Sequence, residues 1–153
     1  MKLALRITSD VLLSLAVAAW VGGRAALGAF AARVVFRTLP RELAAPTMNR
    51  IFRDFDYVIG ASLGVLALGL VLRFLAVRFA TPIVWLCGGA LLALGLFAVL
   101  YVNPQISALF TAGRSLDPSF QTLHRISERS AHLELLCSLG LFYGLARTRA
   151  SSA

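Results

Sequence analysis

The amino-acid sequence predicts an all-α fold, a polytopic integral membrane four-helix bundle with an interfacial amphipathic helix between its first two spans. Three observations predict it. Of 153 residues, 59% are hydrophobic and only 14% charged, which leaves a soluble domain of this length too little polar surface to cover its core. The apolar residues gather into stretches on the scale needed to cross a hydrocarbon layer of about 30 Å. The ends of those stretches carry charges, prolines and helix caps rather than strand and hairpin signals.

The first span is expected at about residues 11–32. Lys2 and Arg6 precede it, Asp10 stands at its edge and Arg24 interrupts it. A basic start before a short apolar run also describes a signal peptide, but Asp10 and the apolar continuation beyond Arg24 fit a retained helix better. The second span, about 57–75, is free of charge from Tyr57 to Leu72, and extends to Phe79 if Arg73 snorkels toward the interface. Pro82 opens the third span, about 82–102, and Asn103-Pro104 is expected to stop it, because proline suits a first helical turn and breaks an interior. Arg73 and Arg78 flank a short turn that makes spans two and three an antiparallel hairpin.

The fourth span is expected at about 122–146, in a helix opened by Asp117 as N-cap and Pro118 at the first helical position. Arg147 and Arg149 meet the negative end of its dipole. That helix is longer than a bilayer core, so its polar first half must project or line something wet. Between spans one and two, Met48, Ile51, Phe52 and Phe55 recur at helical spacing, with Arg50 and Asp54 four apart on the polar side. This reads as an amphipathic connection over 41–56 lying at the interface. A weaker amphipathic stretch at 105–116 carries Ile106, Leu109 and Phe110 before Gly113. No repeat, low-complexity tract or linker divides the chain, so one domain over 1–153 is expected.

The formal net charge of +8 would raise nucleic acid as a partner of a soluble protein. Here the arginines flank or interrupt apolar runs without an aromatic-basic RNA signature, so they point to the lipid bilayer and its anionic head groups. Basic residues stand on both sides of the expected membrane, and the orientation expected is with both termini cytoplasmic, in a bacterial inner membrane. Cys87 and Cys137 lie in apolar runs without a C-x-x-C partner and read as small buried hydrophobes. Trp20, Trp85, Tyr57 and Tyr101 read as partly interfacial anchors.

Charges inside a bilayer cost several kcal/mol unless paired or hydrated, so they are the functional candidates. Arg24 and Glu134 fall at matched depth if spans one and four are antiparallel, which makes an ion pair one reading; snorkelling of Arg24 is the other. His132 is a third polar intramembrane candidate. His124, Glu128 and His132 recur every fourth residue on one helix face, where two imidazoles around a carboxylate can bind a transition metal or pass protons. Simple hydrogen bonding of a polar helix start to loops and lipid phosphates is the reading favoured over it. With both histidines on one helix, a haem held between helices of one copy has no second ligand. No cofactor is therefore assigned, with haem or a transition metal at His124 and His132 as the alternative. Gly60 and Gly64, and again Gly140 and Gly144, form G-x-x-x-G pairs that let membrane helices approach closely, within one copy or in a homo-oligomer.

The stretch Trp20-Val21-Gly22-Gly23, the run into Val34-Val35-Phe36-Arg37-Thr38-Leu39-Pro40, Ile51-Phe52, and Leu123-His124-Arg125-Ile126-Ser127 together resemble the transmembrane-protein-205-like family, four-span membrane proteins of unknown function. The resemblance runs along nearly the whole chain and implies a four-helix membrane fold with Phe36 and His124 at pattern positions. A proline common in that family shortly before the equivalent of Phe36 is replaced here by Ala32 and Arg33. The layout is more loosely similar to copper-resistance-type and protoporphyrinogen-oxidase-type four-helix membrane families. Among soluble-enzyme motifs, the Gly-rich phosphate loop and H-E-x-x-H are missing. The function expected is a small oligomeric transport or solute- and ion-binding component. The alternatives are a metal- or haem-associated redox protein and a non-catalytic accessory protein.

Overall fold

A computed structural model describes residues 2–77 and 82–150. About 94% of the described residues are helical and none is in a strand, so the all-α expectation holds among them. They form four long helices: α1 (Lys2–Thr38), α2 (Arg41–Val77), α3 (Pro82–Thr111) and α4 (Pro118–Ala150). The expected hairpin turn with Arg78 lies outside the described residues.

Contacts fix an up-down-up-down order. Asp10 of α1 meets Arg73 near the end of α2, and Arg24 meets Glu134 of α4. Asp56 of α2 meets Asn103 of α3, close enough to Arg24 to feel its charge. The core is built from Leu13, Val17 and Trp20 of α1, Ile59, Leu63, Leu66 and Leu70 of α2, Val84 and Leu91 of α3, and Leu141 and Leu145 of α4. These residues recur at intervals of three, four or seven residues, the spacing of one helix face. Many large apolar side chains point outward instead, among them Leu68, Val71, Leu86, Leu100 and Leu136. Helices α1, α2 and α3 are long and apolar enough to cross a membrane. Helix α4 falls outside that group because its first half is charged and Glu134 stands in its apolar half.

Several boundaries differ from expectation. Helix α1 runs through Arg24, as expected, but extends well beyond 11–32 at both ends. The helix widens into π turns at Ala18–Gly22 and Leu27–Ala31, on either side of Arg24. The amphipathic connection 41–56 is not a separate interfacial helix: it is the first half of α2. Part of its apolar face packs inward, with Met48 buried and the Phe55 ring against Gly23 of α1, while Phe52 stays exposed. Pro46 is tolerated early in α2, where few backbone bonds are lost.

Asn103-Pro104 does not end α3. A π turn at Ala98–Val102 comes just before it, and such a wide turn accommodates a ring that would otherwise crowd the preceding carbonyl. The stretch from 105 is thus the end of α3. That end is closed by Gly113 at φ 72°, with N–H bonds from Gly113 to the Phe110 carbonyl and from Arg114 to the Leu109 carbonyl. This is a Schellman closure, for which glycine is the residue of least strain. Asp117 then caps α4, its Oδ1 accepting the Ser119 N–H at 2.8 Å.

The aromatic anchors divide. Tyr57 is 80% exposed and Tyr101 also faces outward, but Trp20 is 0% exposed. Its six-membered ring fills the space left by the missing side chain of Gly95, so Trp20 is a core residue rather than an interfacial one. Trp85 is half-buried and packs edge-on against Phe74, ring centroids 6.0 Å apart.

Candidate functional site

The inward face of α4 carries Ser127, Ser130, Glu134 and Ser138 at three- and four-residue spacing, between the apolar Leu123 and Leu141. Opposite them, Arg24 extends from the short α-helical piece between the two π turns of α1. Its Nη1 donates to both carboxylate oxygens of Glu134, at 2.9 and 2.6 Å. Its Nη2 donates to Ser127 Oγ at 3.2 Å. Glu134 is 1% exposed and the Arg24 side chain 15%, so the pair has little water to dilute its attraction. The structure therefore brings together the two charges that depth alone suggested could meet, and Arg24 does not snorkel.

Beside this pair, Asn103 Nδ2 donates to Asp56 Oδ1 at 2.6 Å, and Asp56 lies within the field of Arg24. Sequence reasoning gave Asn103 only as a helix stop and Asp56 only as the edge of an apolar run, so neither was a site candidate. The signal was their shared level: Asp56 opens the charge-free stretch of α2 and Asn103 closes that of α3. One polar layer thus receives a residue from each helix: Arg24, Asp56, Asn103 and Glu134. One turn from Arg24 along α1, the buried Trp20 indole N–H has no acceptor among the described residues. Below the layer, α2 and α3 flank a groove of about 680 Å³ lined by Arg53, Asp56, Asn103, Ser107 and Thr111 among others.

A second polar cluster holds the opposite end of the bundle. Arg73 does not snorkel; it is 0% exposed and ion-paired to Asp10. Its Nη2 also donates to Thr148 Oγ1 at 3.0 Å, while Arg6 donates to the Thr148 carbonyl. An internal acid was available on α1, so Arg73 gains more by turning inward than by reaching for the interface.

The helix-four candidates behave differently. His124 Nε2 stands 3.5 Å from Glu128 Oε1, with both side chains about 60% exposed, and His132 also faces outward. None of the three joins the Arg24 layer. Among the described residues no three His, Cys, Asp or Glu side chains gather closely enough to hold a metal ion, so the proposed His124–His132 metal or haem site gains no ligand set.

The two glycine pairs separate as well. A Cβ at Gly140 would meet Cys87 Sγ at 2.6 Å, and one at Gly144 would meet Ile83 and Val84 at 2.7 Å; this pair seats α4 on α3. Around Gly60 and Gly64 a Cβ would meet nothing within 4 Å, so that pair takes no part in packing within the chain.

No curated protein and no solved structure matches the chain. The sequence profile of a family described as a domain of unknown function (DUF4149) matches residues 15–115, a stretch that includes Arg24, Asp56 and Asn103 and ends before Glu134. The match covers well over half of the 153 residues, and the chain belongs to that family.

Proposed function

We propose that this DUF4149 protein crosses the membrane four times and acts, as an oligomer, as a small solute- or ion-binding component of membrane transport. The observation that carries the reading is the polar layer to which all four helices contribute. Keeping two carboxylates and a guanidinium among apolar helices is expensive, and membrane proteins retain such groups mainly along substrate or ion paths. Arg24, Glu134 and Asp56 sum to one negative charge. A guest with a cationic or donor end can therefore compete for the carboxylates, with Arg24 as the internal counter-ion it displaces.

The fourth crossing is supported by level. Glu134 pairs with Arg24 and Thr148 with Arg73, so the stretch between them on α4 lies beside the apolar stretches of the other helices. Four helices enclose little room, and the outward Gly60 and Gly64 leave a smooth strip on α2; both favour an oligomer. Kinship to the transmembrane-protein-205-like group, a bacterial inner-membrane location and cytoplasmic termini belong to the same reading.

The test is flux through proteoliposomes, read with a trapped pH-sensitive dye and with radiolabelled sodium and glycine. The wild type should conduct at least one of these. Arg24→Gln and Glu134→Gln, checked for retained folding, should lose that flux. No flux from the wild type, or full flux from both folded variants, overturns the reading.

A further inference from the structure

The groove between α2 and α3 has the charge pattern of a ligand site. Arg53 and Asp56 are three residues apart on α2, so they lie on one face, separated by about 4.5 Å along the axis. Arg53 is exposed and forms no ion pair among the described residues. Asp56 commits Oδ1 to Asn103, which orients the carboxylate, and no hydrogen bond to Oδ2 is formed among the described residues.

The opposite wall comes from α3. Asn103, Ser107 and Thr111 recur every fourth residue and make a polar stripe. The Thr111 hydroxyl is already used, donating to the Ser107 carbonyl at 2.8 Å, whereas Ser107 keeps its own hydroxyl. Between these groups the wall is Pro104, Ala108 and Ala112, small apolar residues that suit a short carbon chain. A cation and a carboxylate about one helical turn apart, facing an apolar wall, complement a zwitterion whose two charges are separated by about two carbons.

We propose that this groove binds a phosphoethanolamine-type zwitterion, its ammonium donating to Asp56 and its phosphate accepting from Arg53 and the Ser107 hydroxyl. Arg suits the phosphate end because its planar fork can give two parallel bonds to one phosphate. The same chemistry is carried by the free compound and by the head group of an ethanolamine phospholipid. The proposal rests on the reading of the polar layer as a binding site, and narrows it to a ligand class.

The experiment uses the full chain. In one arm, binding of free phosphoethanolamine to detergent-purified protein is measured by calorimetry, with phosphocholine and glycine as comparison ligands. In the other, the protein is placed in nanodiscs of mixed ethanolamine and choline phospholipid, and retained lipid is identified by mass spectrometry. Saturable binding in the first arm assigns a soluble ligand; selective retention of the ethanolamine lipid in the second assigns a lipid. Either result supports the proposal if Arg53→Gln and Asp56→Asn each weaken it by about tenfold or more, with Arg53→Lys recovering part of the loss. Arg53 is exposed, so its variants test binding without threatening the fold.

Binding in neither arm overturns the proposal, as does unchanged binding by Arg53→Gln. Phosphocholine, which has no ammonium N–H, or glycine, whose charges sit closer together, binding as tightly also overturns it. Flux and binding remain separable. Binding without flux removes transport and leaves this site, while flux of another solute without zwitterion binding removes only this site.

Discussion

At Glu134 a single carboxylate takes two hydrogen bonds from one nitrogen of Arg24 in a setting almost without water. Removing one partner strands the other charge, so Glu134→Leu or Arg24→Leu alone should destabilise the fold by about 3–5 kcal/mol. Replacing both by leucine should recover most of that loss, because no charge then remains buried. Unfolding titrations of the four members of the double-mutant cycle measure this; a double variant as unstable as the sum of the singles would show that the pair is not coupled. At Asp117 the Ser119 N–H and then the Arg114 guanidinium hold the carboxyl down to about 2, below its ordinary 3.8. A depressed value means that the cap is fully effective above the ordinary value and is lost as pH falls through about 2. Amide protection in the first turn of α4, taken relative to the intrinsic exchange rate at each pH, should therefore fall between about pH 4 and pH 2. In Asp117→Asn, which keeps an acceptor but cannot titrate, that fall should vanish.

Helices in lipid gain nothing from hiding apolar side chains from one another, since the surrounding tails are equally apolar; close packing and polar bonds hold them together. The α3–α4 contact illustrates this. Gly140→Ala and Gly144→Ala should each cost about 1–3 kcal/mol through overpacking against Cys87, Ile83 and Val84. Gly60→Ala and Gly64→Ala should leave the monomer unharmed, and in a helix gain up to about 1 kcal/mol. The same thermal melts, run side by side, check both. Weaker self-association in the α2 variants would further favour an oligomer built on that strip. The Gly113 closure makes a smaller demand: an alanine there, held at positive φ, should cost about 1–2 kcal/mol.

The whole bundle is clamped at two levels. Asp10 with Arg73 closes one end and the Arg24 layer closes the other, 14 residues or about 21 Å apart along α1. Between them lie the charge-free stretches of α1, α2 and α4, together with most of that of α3. Asp10→Asn should leave the buried Arg73 without its counter-charge and lower stability by about 3–5 kcal/mol, an effect measurable in the same unfolding titration. On the proposed four-span reading, single cysteines introduced near residues 39 and 114 should react with an impermeant thiol reagent from one side of the membrane. Cysteines near residue 3 should react only from the other. Labelling of both groups from one side would remove the fourth crossing.

How much of this was legible in the sequence depended on whether a feature was local. The helices, the cap at Asp117 and the apolar stretches of α1, α2 and α3 follow from composition, capping residues and three-to-four-residue spacing, because backbone bonding is satisfied within each helix, whereas the continuation of α3 past Asn103-Pro104 to the Gly113 closure did not. Arg24 and Glu134 could be matched by depth because two antiparallel helices share one axial scale. What sequence could not decide was azimuth, the direction each side chain faces around its helix. Azimuth alone separates Gly60 and Gly64 from Gly140 and Gly144, and turns Trp20 into the core while His124 and His132 face away. It also turned Met48 and Phe55 of the amphipathic half of α2 inward, and joined Asp10 to Arg73. An isolated helix leaves rotation about its own axis free, and only packing against three neighbours fixes it.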